Sequence, residues 1–245
     1  IYLDAHNDNL TLQATDLELS IQFTIPALVE EEGRSVFPGK LFFDIVKNLP
    51  DAAVHVETGE DSAVITCDAS SFSIKTLDAE DFPGFPHVDT QQAISIPFSQ
   101  FSSMVKRVAR VVSKDESRAI LTGVLITFEG ETLKMVATDS YRLAITEAQL
   151  GEPAAEGFQA VISGSFLQEL ASLTRTDDPL TIALAENQIV VTYHDTVFIN
   201  RRIEGNFPNY RQLLPDSYAT RVRLNVSHLV SGVKRTSILG QQSSP

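Results

Sequence analysis

Three side chains of types common in active sites lie close together in this chain. Asp139, Tyr141 and Arg142 occur within the stretch LKMVATDSYRLAI, which spans residues 133–145. An aspartate beside a tyrosine and an arginine would suit acid/base chemistry in a hydrolase or a transferase. A structural role is the alternative, because an aspartate that follows a strand commonly accepts hydrogen bonds from the backbone amides of its own turn.

A second occurrence of the same framework favours the structural role. The stretch LTLQATDLELSI, residues 10–21, repeats Ala-Thr-Asp with an offset of 123 residues and places Asp16 at the position equivalent to Asp139. Two aspartates at equivalent positions of separate repeats would not share one active site. The earlier stretch lacks the tyrosine and the arginine, so residues 140–143 are what distinguish the later one.

The rest of the sequence contains no motif typical of catalysis or of metal binding. The five histidines, at positions 6, 55, 87, 194 and 228, are scattered and form no metal-ligand spacing with one another or with Cys67. No GxSxG elbow, phosphate-binding loop or GxGxxG fingerprint occurs. The sequence therefore predicts no catalytic residue, no metal site and no other cofactor.

Longer matches show that the chain repeats itself at the scale of a small domain. FPGKLFFDIVKNL (37–49) resembles ISGSFLQELASL (162–173), and AEDFPGFP (79–86) resembles IEGNFPNY (203–210), both with an offset of 125 residues. FSQFSSMVKRVARVVS (98–113) recurs as VSHLVSGVKRTSIL (226–239) with an offset of 128. We divide the chain into a first copy (1–89), a second copy (90–216) and a third copy (217–245). Only the second is complete, which suggests a fragment of a longer protein.

The repeated unit predicts an α+β fold. In each copy a helical stretch is followed by three strand-like segments, which short turns connect, such as GED (59–61) and EN (186–187). Turns of this length favour antiparallel sheets, because parallel strands need long crossovers. The segment SFSIKTL (71–77) alternates Phe72 and Ile74 with polar residues and could be an edge strand that pairs with another chain.

Charge is unevenly distributed along the chain. The net charge of −13 argues against a surface that attracts nucleic acid everywhere. A helix predicted over residues 97–113 nevertheless places apolar residues on one face and Arg107, Arg110 and Lys114 on the other. This basic face is either simply solvated or faces phosphate groups.

The sequence also limits the location of the protein. It has no apolar run of about 20 residues that could span a membrane. The N-terminus has no signal-peptide pattern, and Cys67 is the only cysteine, which fits a reducing, intracellular location.

Two long stretches resemble one protein family closely. SKDESRAILTGVLITFEG followed by LKMVATDSYRLA is similar to the middle domain of the bacterial sliding clamp, the β subunit of the replicative DNA polymerase. FPGKLFFDIVKNLP (37–50) and FPNYRQLLP (207–215) fit the same family. The resemblance covers essentially the whole chain, and it assigns the three copies to the rear of the first clamp domain, the whole second domain and the start of the third.

The resemblance implies an architecture and a function. Sliding clamps are head-to-tail homodimers that form a closed ring of similar domains, each with antiparallel sheets outside and two helices lining a basic inner face. The ring encircles double-stranded DNA without reading its sequence. It tethers the replicative polymerase and other proteins that carry a clamp-binding motif, and a clamp loader places it on DNA. The family is non-catalytic, cytoplasmic and nucleoid-associated in bacteria, and has no membrane partner.

The resemblance also implies three sets of site residues. The DNA-facing residues would be Arg107, Arg110, Lys114, Lys47 and Lys234. The dimer interface would include Phe72 and Ile74. The part of the client-peptide pocket supplied by this chain would be Leu121, Thr138, Ser140, Tyr141, Arg142, Leu143, Pro208, Gln212 and Leu213.

This chain departs from the family pattern at two pocket positions. Family members often have Gly-His or Ser-His where this chain has Ser140 and Tyr141, and arginine where it has Gln212. Both changes would alter the rim of the pocket. Two other functions stay open at this point, namely an enzyme that uses Asp139, Tyr141 and Arg142, and a clamp-like scaffold that binds proteins but not DNA.

Overall fold

The computed structural model describes residues 1–86, 93–151, 158–173, 176–185 and 187–240. These residues form antiparallel sheets with a few helices, which confirms the predicted α+β class. They fall into two compact units, Ile1–Phe207 and Pro208–Pro245. The predicted boundary between residues 89 and 90 lies outside the described residues.

The first copy has seven strands and one α-helix within its described part. In chain order they are β1 (Tyr2–His6), β2 (Asn9–Thr15), β3 (Leu19–Pro26), β4 (Gly33–Val36), α1 (Gly39–Lys47), β5 (Val54–Thr58), β6 (Ser62–Cys67) and β7 (Ser70–Lys75).

The second copy follows the same plan after one additional strand and helix. Its elements are β8 (Ile94–Pro97), α2 (Phe98–Val108), β9 (Gly123–Glu129), β10 (Thr132–Thr138), β11 (Leu143–Gln149), β12 (Phe158–Ser163), α3 (Gly164–Leu170), β13 (Pro179–Leu184), β14 (Gln188–Tyr193) and β15 (Thr196–Arg201). The second unit contains a 3-10 turn, Tyr210–Leu213, and helix α4 (Val226–Gly240).

One sheet runs through both copies. Its strand order is β4-β1-β2-β3-β15-β14-β13-β8, and β3 of the first copy pairs antiparallel with β15 of the second. The pairing extends from Leu19 opposite Asn200 to Phe23 opposite Thr196. The first and second copies are therefore joined by main-chain hydrogen bonds between two edge strands.

The sheet topology contains the repeat that the sequence predicts. The order β12-β9-β10-β11 in the second copy matches β4-β1-β2-β3 in the first, and β13-β14-β15 matches β5-β6-β7. By this correspondence β7 takes the place of β15, and β11 takes the place of β3. Within the described residues β7 and β11 each end a sheet, whereas β15 and β3 pair with each other.

The core of the second copy explains the apolar stripe of α2. Phe98, Phe101, Val105 and Val108 are fully buried among side chains of β9, β10 and α3. The helix ends at Val108, earlier than the predicted Ser113, and continues as a 3-10 turn over Ala109–Val111.

Two side chains from distant parts of the sequence donate hydrogen bonds to carbonyl oxygens just beyond this helix end. Gln168 Nε2 donates to the carbonyl oxygen of Ala109 at 2.8 Å, and Arg142 Nη2 donates to that of Arg110 at 3.2 Å. Both carbonyls lie where a helix end leaves acceptors unsatisfied.

The first copy has a smaller core, and one predicted interface residue belongs to it. Leu3, Phe37, Phe42, Ile65 and Ile74 pack together there.

In the described part of the chain no helix is both long enough and apolar enough to cross a membrane.

Equivalent glycines at the starts of α3 and α1 have different surroundings. A Cβ at Gly164 would lie 2.9 Å from both γ-methyl groups of Val112 and 3.0 Å from the carbonyl oxygen of Thr122, whereas at Gly39 its nearest neighbour would be Ile1 Cγ1 at 3.5 Å. We expect Gly164→Ala to lower the free energy of unfolding by about 1–3 kcal/mol through overpacking. Urea denaturation measures the change. Gly39→Ala is the control, and an equal loss in both variants would contradict this packing account.

Candidate functional site

The turn between β10 and β11 is held by a dense set of local hydrogen bonds. Asp139 Oδ1 accepts from the backbone amides of Tyr141 and Arg142, each at 3.0 Å, and Asp139 Oδ2 accepts from Arg142 Nε at 3.0 Å. The amide of Ser140 donates to Thr138 Oγ1 at 3.1 Å, and that hydroxyl donates to the carbonyl oxygen of Arg142 at 2.8 Å. We call residues 138–143 the second-copy turn.

Both carboxylate oxygens of Asp139 accept hydrogen bonds within the turn, which is a structural role. Desolvation raises its pKa, but the hydrogen bonds from the two amides and from Arg142, together with the charge of Arg142, outweigh that effect and hold the pKa below its ordinary value. A carboxylate with a lowered pKa and three donors is a poor general base. The geometry therefore favours the turn role over catalysis.

The second-copy turn projects one large side chain into solvent. Tyr141 is 96% exposed, while Leu143 beside it is half-buried. Ser140 has a left-handed backbone, with φ of +78°, and its hydroxyl accepts a hydrogen bond from Arg118 Nη2. Arg118 is not among the predicted pocket residues, and only its position three residues before Leu121 could have indicated it.

The other predicted pocket residues divide between the two units. Leu121 and Thr138 are buried in the first unit. Pro208, Gln212 and Leu213 are exposed and lie in or beside the 3-10 turn of the second unit.

Two of the predicted DNA-facing residues of the second copy, Arg107 and Arg110, lie on one basic surface. Arg107, Arg110 and Lys114 are exposed. Arg107 and Arg110 line a groove of about 740 Å³ together with Lys106, Ser103 and Asp177. Lys106 is not among the predicted DNA-facing residues, although the repeat pairs it with Lys234, which is.

The two remaining predicted DNA-facing residues lie on other helices. Lys47 is exposed at the end of α1, with its Nζ 5.6 Å from the ring centroid of Phe43. Lys234 is exposed on α4 in the second unit.

The second-copy turn and the basic surface contact each other directly. The Arg142 guanidinium bridges the carboxylate of Asp139 and the carbonyl oxygen of Arg110. Arg110 also uses its own Nε to donate to the carbonyl oxygen of Lys106 at 2.8 Å. Arg142 is thus a connecting residue, and its hydrogen-bonding capacity is partly used within the chain.

The predicted interface residues of β7 differ in exposure. Phe72 is 38% exposed, whereas the Ile74 side chain is buried in the first-copy core. Ile74 can therefore contribute to an interface only through its backbone.

The described residues offer no grouping of three or more histidine, cysteine, aspartate or glutamate side chains suited to a metal ion. Cys67 is buried, and its thiol faces the carbonyl oxygens of Pro50 and Ala52 at 3.7 and 3.8 Å. The thiol is a structural donor in the first copy.

The ion pair of Asp139 leads to a pH-dependent prediction. Its folded-state pKa lies below the unfolded value of about 3.9, so its contribution to stability is complete above that pH and is lost as the pH falls through the lowered pKa. Asp139→Asn should reduce stability at pH 7, and the deficit relative to wild type should shrink below about pH 4. Urea denaturation across this pH range measures the deficit.

Asp16→Asn is the matched control, because Asp16 accepts from two backbone amides and forms no ion pair with an arginine among the described residues. Asparagine keeps an oxygen for those amides, so this variant should lose less stability at pH 7. A pH-independent deficit for Asp139→Asn would show that its ionised form plays no part.

Comparison with known proteins identifies two matching domain families. Residues 1–86 match the N-terminal domain of the DNA polymerase III beta subunit, and residues 95–209 match its central domain. The chain is 32% identical over 252 residues to a beta sliding clamp of Staphylococcus epidermidis, covering 99% of the chain and 67% of that relative.

Solved structures show the same similarity. The DNA polymerase sliding clamp of Bacillus subtilis superposes with a TM-score of 0.93 at 29% identity, over 97% of this chain and 65% of that one. A Pseudomonas aeruginosa sliding clamp, determined bound to griselimycin, has a TM-score of 0.82 at 28% identity, over 88% of this chain and 59% of that one. The chain thus spans about two thirds of the length of the curated relative.

Proposed function

Because the chain belongs to the family of bacterial DNA polymerase III beta subunits, the beta sliding clamps, we propose that the protein is a DNA sliding clamp. In this role it is a non-catalytic processivity factor that encircles duplex DNA and tethers its clients. The observation that carries the proposal is the strand pairing between copies, combined with a basic helix face in an otherwise acidic chain. The lowered pKa and saturated hydrogen bonds of Asp139 give an enzyme no support.

The repeated strand order supports a ring built from edge-to-edge contacts. The strands β3 and β15 join the first and second copies, and β11 and β7 are their equivalents at the two sheet edges that end within the described residues. In a complete third copy, the strand equivalent to β15 would pair with β11. In the third copy of a second chain, the strand equivalent to β3 would pair with β7, which gives a head-to-tail homodimer.

The dimer interface would then lie along β7. Its backbone amides and carbonyls provide the pairing, as at other exposed sheet edges. Phe72 would add an apolar contact, and Ile74 would take part through its backbone while its side chain stays in the core.

The basic surface of α2 suits contact with DNA phosphates. Lys106, Arg107 and Arg110 line one groove of an acidic chain, and Lys114 is exposed shortly after them in the sequence. Lys234 lies on α4, which corresponds to α2 in the third copy, and Lys47 lies on α1, which corresponds to α3. Contacts to phosphate carry no sequence information, so the duplex can slide while the ring prevents its escape.

Charge reversal on α2 tests this surface. In the full-length protein, Arg107→Glu combined with Arg110→Glu should shorten retention on circular DNA. The salt slope of log affinity should fall by about two, since each phosphate contact contributes about 0.9 to that slope. Arg34→Glu in β4 is the control, because Arg34 pairs with Asp4 on the sheet. Unchanged loading and retention would favour a scaffold that binds proteins but not DNA.

The second-copy turn would form one wall of a client-peptide pocket. Tyr141 and Leu143 provide apolar surface, while Ser140 and Arg142 are fixed by Arg118 and Asp139. We propose that Leu121, Thr138, Pro208, Gln212 and Leu213 complete this chain's contribution. The griselimycin complex of the Pseudomonas aeruginosa clamp supports ligand binding within the family. The clients would be the replicative polymerase, the clamp loader and other motif-bearing proteins in the cytoplasm, near the nucleoid.

Truncation of Tyr141 tests the pocket. Tyrosines at interface centres are common binding hot spots, worth about 2 kcal/mol or more of binding free energy. Tyr141→Ala should therefore lower the affinity for a labelled client peptide by about tenfold or more. Fluorescence anisotropy with full-length protein measures the affinity. Tyr218→Ala, which removes another exposed tyrosine, should bind as wild type does. Equal affinity of the two variants would reject this wall of the pocket.

A further inference from the structure

A small groove lies where the first copy meets the second, entirely within the first unit. Its volume is about 100 Å³, and its lining includes Leu17, Glu18, Phe82, Phe85, Ile199 and Arg201. We call it the junction groove. The groove lies beside the turn between β2 and β3. The repeat makes this turn the equivalent of the second-copy turn, which connects β10 and β11.

The turn beside the junction groove has the same construction as the second-copy turn. Asp16 Oδ1 accepts from the amides of Glu18 and Leu19 at 3.0 and 2.7 Å, as Asp139 does from Tyr141 and Arg142. The amide of Leu17 donates to Thr15 Oγ1 at 3.0 Å, as Ser140 does to Thr138. The backbone conformations also agree.

Leu17 has φ of +75° and its equivalent, Ser140, has φ of +78°. A bulky leucine is unusual in the left-handed region, whereas small or polar residues enter it more readily. Leu17 is also 67% exposed, so the fold gains little from burying it. The strained conformation holds an apolar side chain at the rim of the junction groove, and such strain is commonly retained at binding sites.

The opposite wall of the groove is aromatic and well supported. Phe85 packs against Ala183, Val190 and Ile199, and the ring of Phe82 stacks on Tyr2 with centroids 5.1 Å apart. This wall comes from the motif DFPGFP, whose repeat in the second copy, NFPNYR, contains the predicted pocket residue Pro208. Both walls of the junction groove therefore have counterparts in the proposed client site.

Size and charge indicate what the groove can accept. A volume of about 100 Å³ is well below the range of about 300–1,000 Å³ for small-molecule pockets, so it suits a single side chain. Arg201 is exposed at the groove, which Glu18 also lines, and no ion pair of the Arg201 guanidinium occurs among the residues that the structure describes. An anchor that fills the groove could therefore be accompanied by a carboxylate that pairs with Arg201.

We propose that the junction groove is a second peptide-binding site, which takes an extended segment of a partner protein with one aliphatic side chain next to an acidic one. The aliphatic side chain packs between Leu17 and the Phe82–Phe85 wall, and the acidic one pairs with Arg201. The inference rests on the proposed function for the comparison with the client site, but it concerns different residues and can fail separately.

The test uses full-length protein labelled with carbon-13 at leucine, isoleucine and valine methyl groups. Two capped hexapeptides, acetyl-Gly-Ser-Leu-Asp-Ser-Gly-amide and its Asp-Leu isomer, are titrated, because the direction of the bound segment is open. We expect at least one of them to give saturable shifts of the Leu17 and Ile199 methyl signals. Replacing the peptide leucine by serine should abolish these shifts.

Protein variants assign the contacts. Leu17→Ser should remove the saturable shift of Ile199, and Arg201→Gln should weaken binding by about threefold at low salt. Leu28→Ser is the matched control, because Leu28 is an exposed leucine of the same copy that does not line the groove. Absence of saturable shifts at Leu17 and Ile199 with either peptide, or equal effects of the two leucine variants, would overturn the proposal.

The methyl signals of Leu143 separate this proposal from the proposed function. Shifts at Leu143 without shifts at Leu17 and Ile199 would overturn the junction site and leave the client site intact. Shifts at Leu17 and Ile199 that persist in Tyr141→Ala, without shifts at Leu143, would support the junction site independently of the client site.

Discussion

The pairing of β3 with β15 is the interaction on which the rest of the structure depends. Five residue pairs, from Leu19 with Asn200 to Phe23 with Thr196, connect the copies. The junction is strengthened at its end, where the carbonyl oxygen of Glu18 accepts from the amide of Arg201 at 3.0 Å and from Asn200 Nδ2 at 3.2 Å. Backbone pairing of this kind needs strand edges of matching direction and register, and few specific side chains. The same junction can therefore be repeated with diverged sequences.

Repetition of the junction explains where the candidate sites lie. Each Ala-Thr-Asp turn immediately precedes the last strand of its copy's sheet, and the first of these strands, β3, pairs with the neighbouring copy. Aspartate and threonine keep the backbone of both turns in one conformation. The intervening residues are then free to differ, as Leu17 and Glu18 do from Ser140 and Tyr141. If both turns belong to binding sites as proposed, this constant backbone with variable tip residues would give the two sites different preferences.

Much of this arrangement could be predicted from the sequence, because its signals are local or periodic. The offset of about 125 residues revealed the copies, the apolar stripe of α2 predicted its buried face, and the duplicated turn indicated a structural Asp139. The placement of the site residues in binding surfaces came from family resemblance and stays a prediction.

The features that escaped prediction depend on distant partners. Helix α2 stops at Val108, where Gln168 and Arg142 supply donors to the carbonyls that follow. The pairing of β3 with β15 joins residues about 180 positions apart, which no local pattern encodes. The burial of Ile74 and the left-handed backbone of Leu17 likewise follow from packing and turn geometry.

The central claim is that one kind of strand junction closes the ring, with β7 as the edge that meets a second chain. Amide hydrogen exchange of β7 in the full-length protein, measured above and below the concentration at which dimers dissociate, tests it most directly. The account predicts that the outward-facing amides of Ser70–Lys75 are protected in the dimer and exchange quickly after dilution, while β15 stays protected throughout. Equal and rapid exchange of those β7 amides in dimer and monomer would contradict it.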